Sequence, residues 1–206
     1  MPAAATVETA MTTHSDVVLG LMSARTGHFR LESGHHGELW LELDAMFWSP
    51  AALDPLVAEM ADRLRPHAPD VVCGPLVGGA LLAQRVAARL GAAFCFTERT
   101  SKGDGGLYSA AYRLPPTLAA LVAGRRVAVV DDVVNAGSAT RATLAALREA
   151  GAEPVALAAL LTLGAQPAAV AAVAGLPLVA LANRANELWE PADCPRCAAG
   201  DPLEAL

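Results

Sequence analysis

The chain has 206 residues, of which 54% are hydrophobic and 17% are charged, and its formal net charge is −6 at pH 7. This length allows one domain with a sizeable core, and the composition excludes a disordered protein except at the ends. Because the charge is negative and basic runs are absent, nucleic-acid binding has little electrostatic support. Residues 1–16 lack the basic and apolar regions of a secretory signal, which predicts a cytoplasmic protein.

The first 65 residues contain patterns typical of a helix, a hairpin and a second helix. Apolar residues at helical spacing predict a helix over residues 15–24, which Gly27 ends. Apolar and polar residues then alternate over residues 29–43 around a Ser-Gly-His-His-Gly turn, which indicates a β-hairpin. The spacing predicts a second helix over residues 50–64, with Ser49 as its N-cap.

Strand and helix patterns alternate from residue 71 onwards. Strands are predicted at 71–73, 93–97, 126–131, 155–163 and 178–182, and helices at 79–90, 138–150 and 167–174. This alternation predicts an α/β fold with a doubly wound, mostly parallel sheet flanked by helices. Glycine, glutamine and proline interrupt the apolar segment 155–182, which argues against a membrane span. Ligands of such sheets bind at the carboxyl ends of the strands, so the loops after Cys73, Thr97, Asp131 and Leu161 are candidates.

The most informative segment is the strand and turn from Val127 to Thr140. An apolar strand ends there in Asp131 and Asp132, and small residues then lead into a helix. Backbone N–H groups of such a turn can approach a phosphate closely, and the helix adds its positive end. The two carboxylates can accept hydrogen bonds from adjacent hydroxyls of a sugar. A sugar phosphate fits both halves of the pattern; an aspartate pair that only caps the helix, or the aspartate pair of a receiver domain, is the alternative.

The spacing of this segment also separates it from other phosphate-binding classes. Neither the GxGxxG of dinucleotide-binding folds nor the GxxxxGK[ST] of nucleoside triphosphatases occurs in the chain. The run from Asp131 to Arg141 instead resembles the phosphoribosyl pyrophosphate (PRPP) motif of type I phosphoribosyltransferases, in particular the orotate phosphoribosyltransferases. Further agreement is found in Thr-Gly-His-Phe-Arg-Leu-Glu-Ser-Gly-His at 26–35, Gly-Pro-Leu-Val-Gly-Gly at 74–79, and the closing Cys-Pro-Arg-Cys with Pro-Leu at 202–203.

The resemblance covers nearly the whole chain and carries several expectations. It implies the type I phosphoribosyltransferase fold with a small N-terminal hood, as one domain over residues 1–206 with a hood at 1–65, a core at 70–185 and a tail at 186–206. The implied reaction is transfer of ribose 5-phosphate from PRPP to orotate, in pyrimidine nucleotide biosynthesis, with release of pyrophosphate. A homodimer is implied, with Mg²⁺ as the cofactor that accompanies PRPP.

Residue roles follow from the same resemblance. Asp131 and Asp132 would bind the ribose hydroxyls, and they are also the candidate protein contacts of Mg²⁺. The remaining PRPP contacts would be the 5-phosphate turn, Asn135, Ala136, Gly137, Ser138 and Ala139, and the pyrophosphate loop, Gly74, Pro75, Val77, Gly78 and Gly79.

The polar, glycine-rich segment 97–106 predicts a mobile loop that could close as a lid. Similar proteins place a basic lid residue on the pyrophosphate, which makes Arg99 and Lys102 the catalytic candidates beside the aspartate pair. Lys102 is the only lysine of the chain. The alternative is that both are solvated loop charges.

Three positions depart from the orotate pattern. Glu32 stands where the orotate enzymes carry a basic residue, and Leu163 ends a strand at which they commonly supply an arginine for the carboxylate of the base. Asn135 replaces a threonine but still offers hydrogen-bond donors. The first two departures favour a different base, or a non-catalytic regulator that senses PRPP; a protein-interaction domain with a relict pocket is the third hypothesis.

The cysteines and histidines give weaker signals. Cys73 and Cys95 lie in apolar strand-like runs and are predicted to be core residues. Cys194 and Cys197 form a CxxC that could supply half of a Cys₄ zinc site shared by two subunits, or a redox pair, although cysteines without a metal are the favoured interpretation. Three histidines of the hairpin region are interpreted as surface or turn residues: His28, His35 and His36.

Overall fold

The front of the chain forms a helix and an antiparallel hairpin. The computed structural model describes residues 14–101, 107 and 110–205. Helix α1 (His14–Gly20) precedes strands β1 (Ser23–Arg30) and β2 (His36–Glu42), which pair antiparallel. The hairpin is as predicted, but α1 ends earlier and β1 begins earlier than the sequence pattern indicated. The reason is that the first half of β1 is exposed and polar, so apolar alternation marks only its buried end.

Helices and strands then alternate through the core. The described elements are α2 (Pro50–Leu64), β3 (Val71–Pro75), α3 (Gly78–Leu90), β4 (Ala93–Ser101), β5 (Ala111–Arg113), α4 (Pro116–Val122), β6 (Arg126–Val134), α5 (Ser138–Glu149), β7 (Glu153–Leu163), α6 (Gln166–Ala174) and β8 (Leu178–Arg184). Their strands form a sheet in the order β5-β4-β3-β6-β7-β8. All neighbours are parallel except β4 and β5. The predicted α/β fold with a mostly parallel sheet is confirmed.

Two apolar layers cover this sheet, one on each face. Along β6, Ala128 and Val130 belong to the buried cluster that includes residues of α1, α2 and α3. Val127 and Val129 belong to the opposite cluster, which includes residues of α4, α5 and α6. Since successive strand residues point to opposite faces, a continuous apolar strand is required for a sheet covered twice. Among the described residues, no helix is both long and apolar enough to cross a membrane.

Two strands run further than the sequence predicted. Strand β4 continues to Ser101 and pairs antiparallel with β5, so the first half of the predicted lid, residues 97–101, is a strand and not a loop. Polar residues are tolerated there because β4 and β5 form an exposed edge ribbon. Strand β6 continues to Val134, so Asp131 lies inside the strand, opposite Ala159 of β7, and not at its end as predicted.

The end of the chain returns to the hairpin. After β8, a short helix α7 (Pro195–Ala198) leads to β9 (Glu204–Ala205), which pairs parallel with β1. Strand β9 thereby joins the hairpin in a small sheet with the order β2-β1-β9. Before α7, His36 and Trp189 exchange two backbone hydrogen bonds of 2.8 and 2.9 Å. Sequence reasoning assigned no structure to this tail.

Candidate functional site

A cavity of about 230 Å³ opens at the carboxyl ends of β6 and β7. One wall is formed by Asp131 and residues 133–140, which are the end of β6 and the turn into α5. The opposite wall comes from the hairpin, with residues 31–33 and 39–41, and Leu163 lies at the end of β7. The loop after Asp131, which the sequence singled out, therefore lines a real cavity.

The two aspartates are buried beside this cavity, each 7% exposed. Asp131 Oδ1 accepts a hydrogen bond of 3.1 Å from the Asp132 backbone N–H, and Asp132 Oδ1 accepts one of 2.7 Å from the Val133 N–H. Burial, and then the neighbouring Asp132 charge, raise the pKa of Asp131 well above its usual range. Burial also raises the pKa of Asp132. Two buried acids held this close favour a ligand that brings hydroxyl donors or a cation.

The aspartate pair does not cap the following helix, α5. Gly137, and not an aspartate, is the N-cap of α5. The hydrogen bonds that the described structure gives to the two carboxylates come from the N–H groups of Asp132 and Val133, which precede the helix. The alternative that the aspartates only cap this helix is therefore wrong.

The loop between β3 and α3 lies against the aspartate pair. A Cβ added to Gly79 would lie 2.5 Å from Asp131 Oδ1, and one added to Gly78 would overlap Asp132 Oδ2. The same loop is tied to β4 by a hydrogen bond of 2.9 Å from the Leu76 N–H to the Thr97 carbonyl. Its glycines thus allow an approach that a side chain would prevent. The structure brings the predicted pyrophosphate loop and the aspartate pair together.

The turn into α5 presents two hydroxyls that have no hydrogen-bond partner in the described part of the chain. Gly137 has a φ of +80°, and a Cβ there would lie 2.7 Å from Val170 Cγ2, so glycine is required. The next turn carries Ser138 and Thr140, whose buried hydroxyl oxygens have no hydrogen-bond partner among the described residues. Both residues line the cavity. Unpaired buried hydroxyls at a helix N-terminus can donate to an anion such as phosphate.

Comparison with known proteins agrees with this geometry. The sequence profile described as "phosphoribosyl transferase domain" matches residues 51–176. The orotate phosphoribosyltransferase of Thermotoga maritima is 30% identical over 86% of this chain and 88% of its own length. The chain belongs to the phosphoribosyltransferase family. A second relative, the orotate phosphoribosyltransferase of Heliobacterium modesticaldum, is 32% identical over 85% of this chain and 86% of its own length.

Solved structures support the type I phosphoribosyltransferase fold. Adenine phosphoribosyltransferase from Rhodothermus marinus aligns with a TM-score of 0.65 at 17% identity, over 83% of this chain and 98% of that one. Orotate phosphoribosyltransferase from Mycobacterium tuberculosis aligns with a TM-score of 0.58 at 18% identity, over 82% and 95% of the two chains. At these identities the likeness concerns the fold alone. The predicted fold and family of this phosphoribosyltransferase are confirmed.

The predicted lid is joined to the hairpin at Glu32. An Arg99 guanidinium nitrogen lies 3.2 Å from Glu32 Oε1, and the Tyr112 hydroxyl donates to the same oxygen over 3.1 Å. Burial, and then the Glu32 charge, raise the pKa of Tyr112. Arg99 is thus held by an acid at the rim of the cavity, and Lys102 lies outside the described residues. That either residue contacts pyrophosphate stays a prediction.

Two further residues of this phosphoribosyltransferase were missed by sequence reasoning. Thr140 lies within the PRPP motif. Because its side chain carries a hydroxyl that can donate to a phosphate, the sequence could have indicated it as part of the 5-phosphate turn. Asn186 Nδ2 donates a hydrogen bond of 3.1 Å to Asn135 Oδ1. The backbone of Asn186 passes close to Gly164, where a Cβ would lie 2.5 Å from the Asn186 carbonyl. Nothing local in the sequence marks Asn186, because this contact depends on the path of the tail.

The interpretation of the three histidines as surface residues was wrong, although His35 does lie in the turn between β1 and β2. His28, His35 and His36 are only 3%, 7% and 5% exposed, because the tail covers the hairpin. His28 and His36 lie beside Cys194 and Cys197, and the four potential ligand atoms are all within 4.8 Å of one another. The residues beside this CxxC are thus two histidines of the same chain. Cys73 and Cys95 are buried, as predicted.

Proposed function

We propose that the protein is a Mg²⁺-dependent phosphoribosyltransferase that converts orotate and PRPP to orotidine 5-phosphate and pyrophosphate. The observation that carries the proposal is the pair of hydroxyls of Ser138 and Thr140, which lack a hydrogen-bond partner among the residues that the structure describes. Both line the cavity that Asp131 also lines. The orotate reaction is taken from the relatives at 30% and 32% identity, which are orotate phosphoribosyltransferases. Their similarity spans both walls of the cavity.

In this proposal the residues act mainly by positioning the substrate. The turn from Asn135 to Thr140 binds the 5-phosphate, and Asp131 and Asp132 accept hydrogen bonds from the ribose hydroxyls. The nitrogen of the base displaces pyrophosphate at the anomeric carbon through an oxocarbenium-like state. The backbone of residues 74–79 receives the leaving pyrophosphate, because its glycines allow close approach.

The aspartate pair also fits a divalent cation. Both carboxylates are buried, and no arginine or lysine in the described part of the chain forms an ion pair with either. Oxygen ligands of this kind suit Mg²⁺. When bound with PRPP, the ion would supply positive charge that offsets the negative charge of the pyrophosphate leaving group.

A base without a carboxylate is the second candidate. Glu32 and Leu163 line the cavity, and none of its described lining residues is an arginine or lysine. Such a wall offers no cation to the carboxylate of orotate, whereas the Glu32 oxygens could accept hydrogen bonds from an amino group. This observation favours a neutral base. The two candidates differ in which base the protein accepts.

The test is pyrophosphate release from PRPP and Mg²⁺ with orotate, uracil and purine bases in parallel, with Asp132→Asn as the inactive control. Turnover with orotate supports the proposed reaction, and turnover only with another base reassigns the substrate. Binding of PRPP without turnover on any base would contradict the enzyme and favour the PRPP-sensing regulator. Failure to bind PRPP would favour the interaction domain.

Three broader features belong to the same proposal. We place the protein in the cytoplasm, as a homodimer, with the whole chain forming one phosphoribosyltransferase domain. Support for the single domain comes from the tail, whose β9 pairs with β1 of the hood and whose Asn186 contacts the turn at Asn135. The oligomeric state is open to direct measurement by light scattering.

A further inference from the structure

Two histidines from the hairpin and two cysteines from the tail converge at one point. His28 Nε2 lies 3.2 Å from His36 Nδ1, 3.3 Å from Cys194 Sγ and 3.8 Å from Cys197 Sγ. His36 Nδ1 lies 3.3 Å from Cys197 Sγ. His28, His36 and Cys194 are buried, and Cys197 is exposed at the edge. None of the four lines the cavity described above.

These separations match the edges of a zinc tetrahedron. With zinc–nitrogen distances of about 2.0–2.1 Å and zinc–sulfur distances of about 2.3 Å, two nitrogens are about 3.3 Å apart and a nitrogen and a sulfur about 3.6 Å apart. The observed values are 3.2 Å for the nitrogen pair and 3.3 to 3.8 Å for three of the four nitrogen–sulfur pairs. All four ligand atoms lie within 4.8 Å of one another. The side chains are therefore arranged as a Cys₂His₂ ligand set.

Hydrogen bonding within the cluster cannot account for this convergence. His28 Nδ1 lies 3.0 Å from the Asp201 carbonyl, which can only accept, so this nitrogen carries the proton. In the neutral ring, His28 Nε2 then presents a single lone pair to three neighbours. One lone pair accepts one good hydrogen bond, whereas a metal ion can bind all four groups at once. The carbonyl contact is also the kind of support that orients metal-binding histidines.

We propose that His28, His36, Cys194 and Cys197 bind one structural zinc ion, a site separate from the transferase function proposed above. Two imidazoles and two thiolates select zinc over Mg²⁺, which prefers oxygen ligands. Four protein ligands close the coordination shell and leave no position for a substrate. The ion fastens the tail, which carries Asn186, to the hairpin that forms one wall of the cavity.

Metal analysis of the untagged full-length protein tests the proposal, with Cys197→Ser as the ligand variant and His67→Asn as the control. We expect about one zinc per chain in wild type and in the control, and zinc affinity at least about 10-fold weaker in Cys197→Ser. Titration with Co²⁺ should give thiolate charge-transfer absorption in wild type that the variant reduces. Zinc content far below one after reconstitution, equal zinc affinity in Cys197→Ser, or iron in place of zinc would overturn the assignment.

A second measurement covers the case in which the ligand variant does not fold. Chelation of the wild-type protein should lower its Tm reversibly, by roughly 8–16 °C relative to free zinc at about a thousand times its Kd. An unchanged Tm after removal of the metal would contradict a structural role. Neither experiment uses PRPP or a base. Failure of the zinc proposal is therefore distinguishable from failure of the transferase proposal.

Discussion

Burial makes the charged carboxylates of Asp131 and Asp132 unfavourable in the absence of ligand. Both have raised pKa values because burial disfavours their charged forms, and their mutual repulsion adds to the effect at Asp131. A folded-state pKa above the unfolded value of about 4 means that the folded state binds more protons between the two values. Stability of the free protein should therefore fall as the pH rises through this window. A ligand that satisfies the pair would recover the loss.

Replacing Asp132 with asparagine should separate stability from function. Without ligand at pH 7, we expect Asp132→Asn to raise Tm by roughly 2–4 °C, the shift that about 1 kcal/mol produces in a chain of this size. The stability of the variant should also depend less on pH than that of the wild type. Turnover should fall about 100-fold or more because a positioned group is lost. Thermal unfolding across pH, with and without PRPP and Mg²⁺, checks the stability. Pyrophosphate release checks the turnover. A variant less stable than wild type at neutral pH would contradict the burial argument.

The contact between Gly78 and Asp132 allows a steric test. Gly78→Ala places a methyl group on Asp132 Oδ2, so we expect PRPP to bind at least 10-fold more weakly, about 1.4 kcal/mol. Gly20→Ala is the matched control, because a Cβ there meets nothing within 4 Å. Calorimetric titration with PRPP and Mg²⁺ compares the two. Equal affinity in both variants would mean that the loop and the aspartate do not act together.

At the scale of elements, Glu32 connects the hairpin to the β4–β5 ribbon. It interacts with Arg99 of β4 and Tyr112 of β5, at the rim where pyrophosphate is proposed to leave. Both side chains of the ion pair are partly exposed, so solvent screens the interaction and its contribution is small. In the proposed reaction, pyrophosphate would compete with Glu32 for Arg99.

Removing the Glu32 charge should therefore strengthen pyrophosphate binding. In Glu32→Gln, Arg99 is released and one repulsive charge is lost, which predicts up to about fivefold tighter product inhibition by pyrophosphate. Glu149→Gln on the exposed side of α5 serves as the control and should show no change. Inhibition constants from initial rates give the comparison. Weaker inhibition in Glu32→Gln would show that the carboxylate supports the site instead of opposing it.

For the whole molecule, the features that could be predicted from the sequence are those that depend on one continuous segment. The strand, turn and helix around Asp131 could be predicted because apolar periodicity, small turn residues and a known motif lie within one continuous stretch. Strand β5 and the end of β4 could not, because polar edge strands lack an apolar pattern. The contacts of His28 with Cys194 and of Asn135 with Asn186 join residues far apart in the chain. Only the path of the tail brings them together.

The measurement that tests the account most directly is the equilibrium binding of PRPP with Mg²⁺ to wild type, Thr140→Val and Thr117→Val. Thr140 has a buried hydroxyl at the cavity that finds no hydrogen-bond partner within the described ranges, whereas Thr117 is exposed on α4. A hydrogen bond to a charged phosphate contributes about 1.5–3 kcal/mol, so Thr140→Val should bind PRPP roughly 10–150-fold more weakly, with Thr117→Val unchanged. Wild-type protein that does not bind PRPP, or Thr140→Val that binds it as tightly as wild type, would contradict the proposed 5-phosphate site.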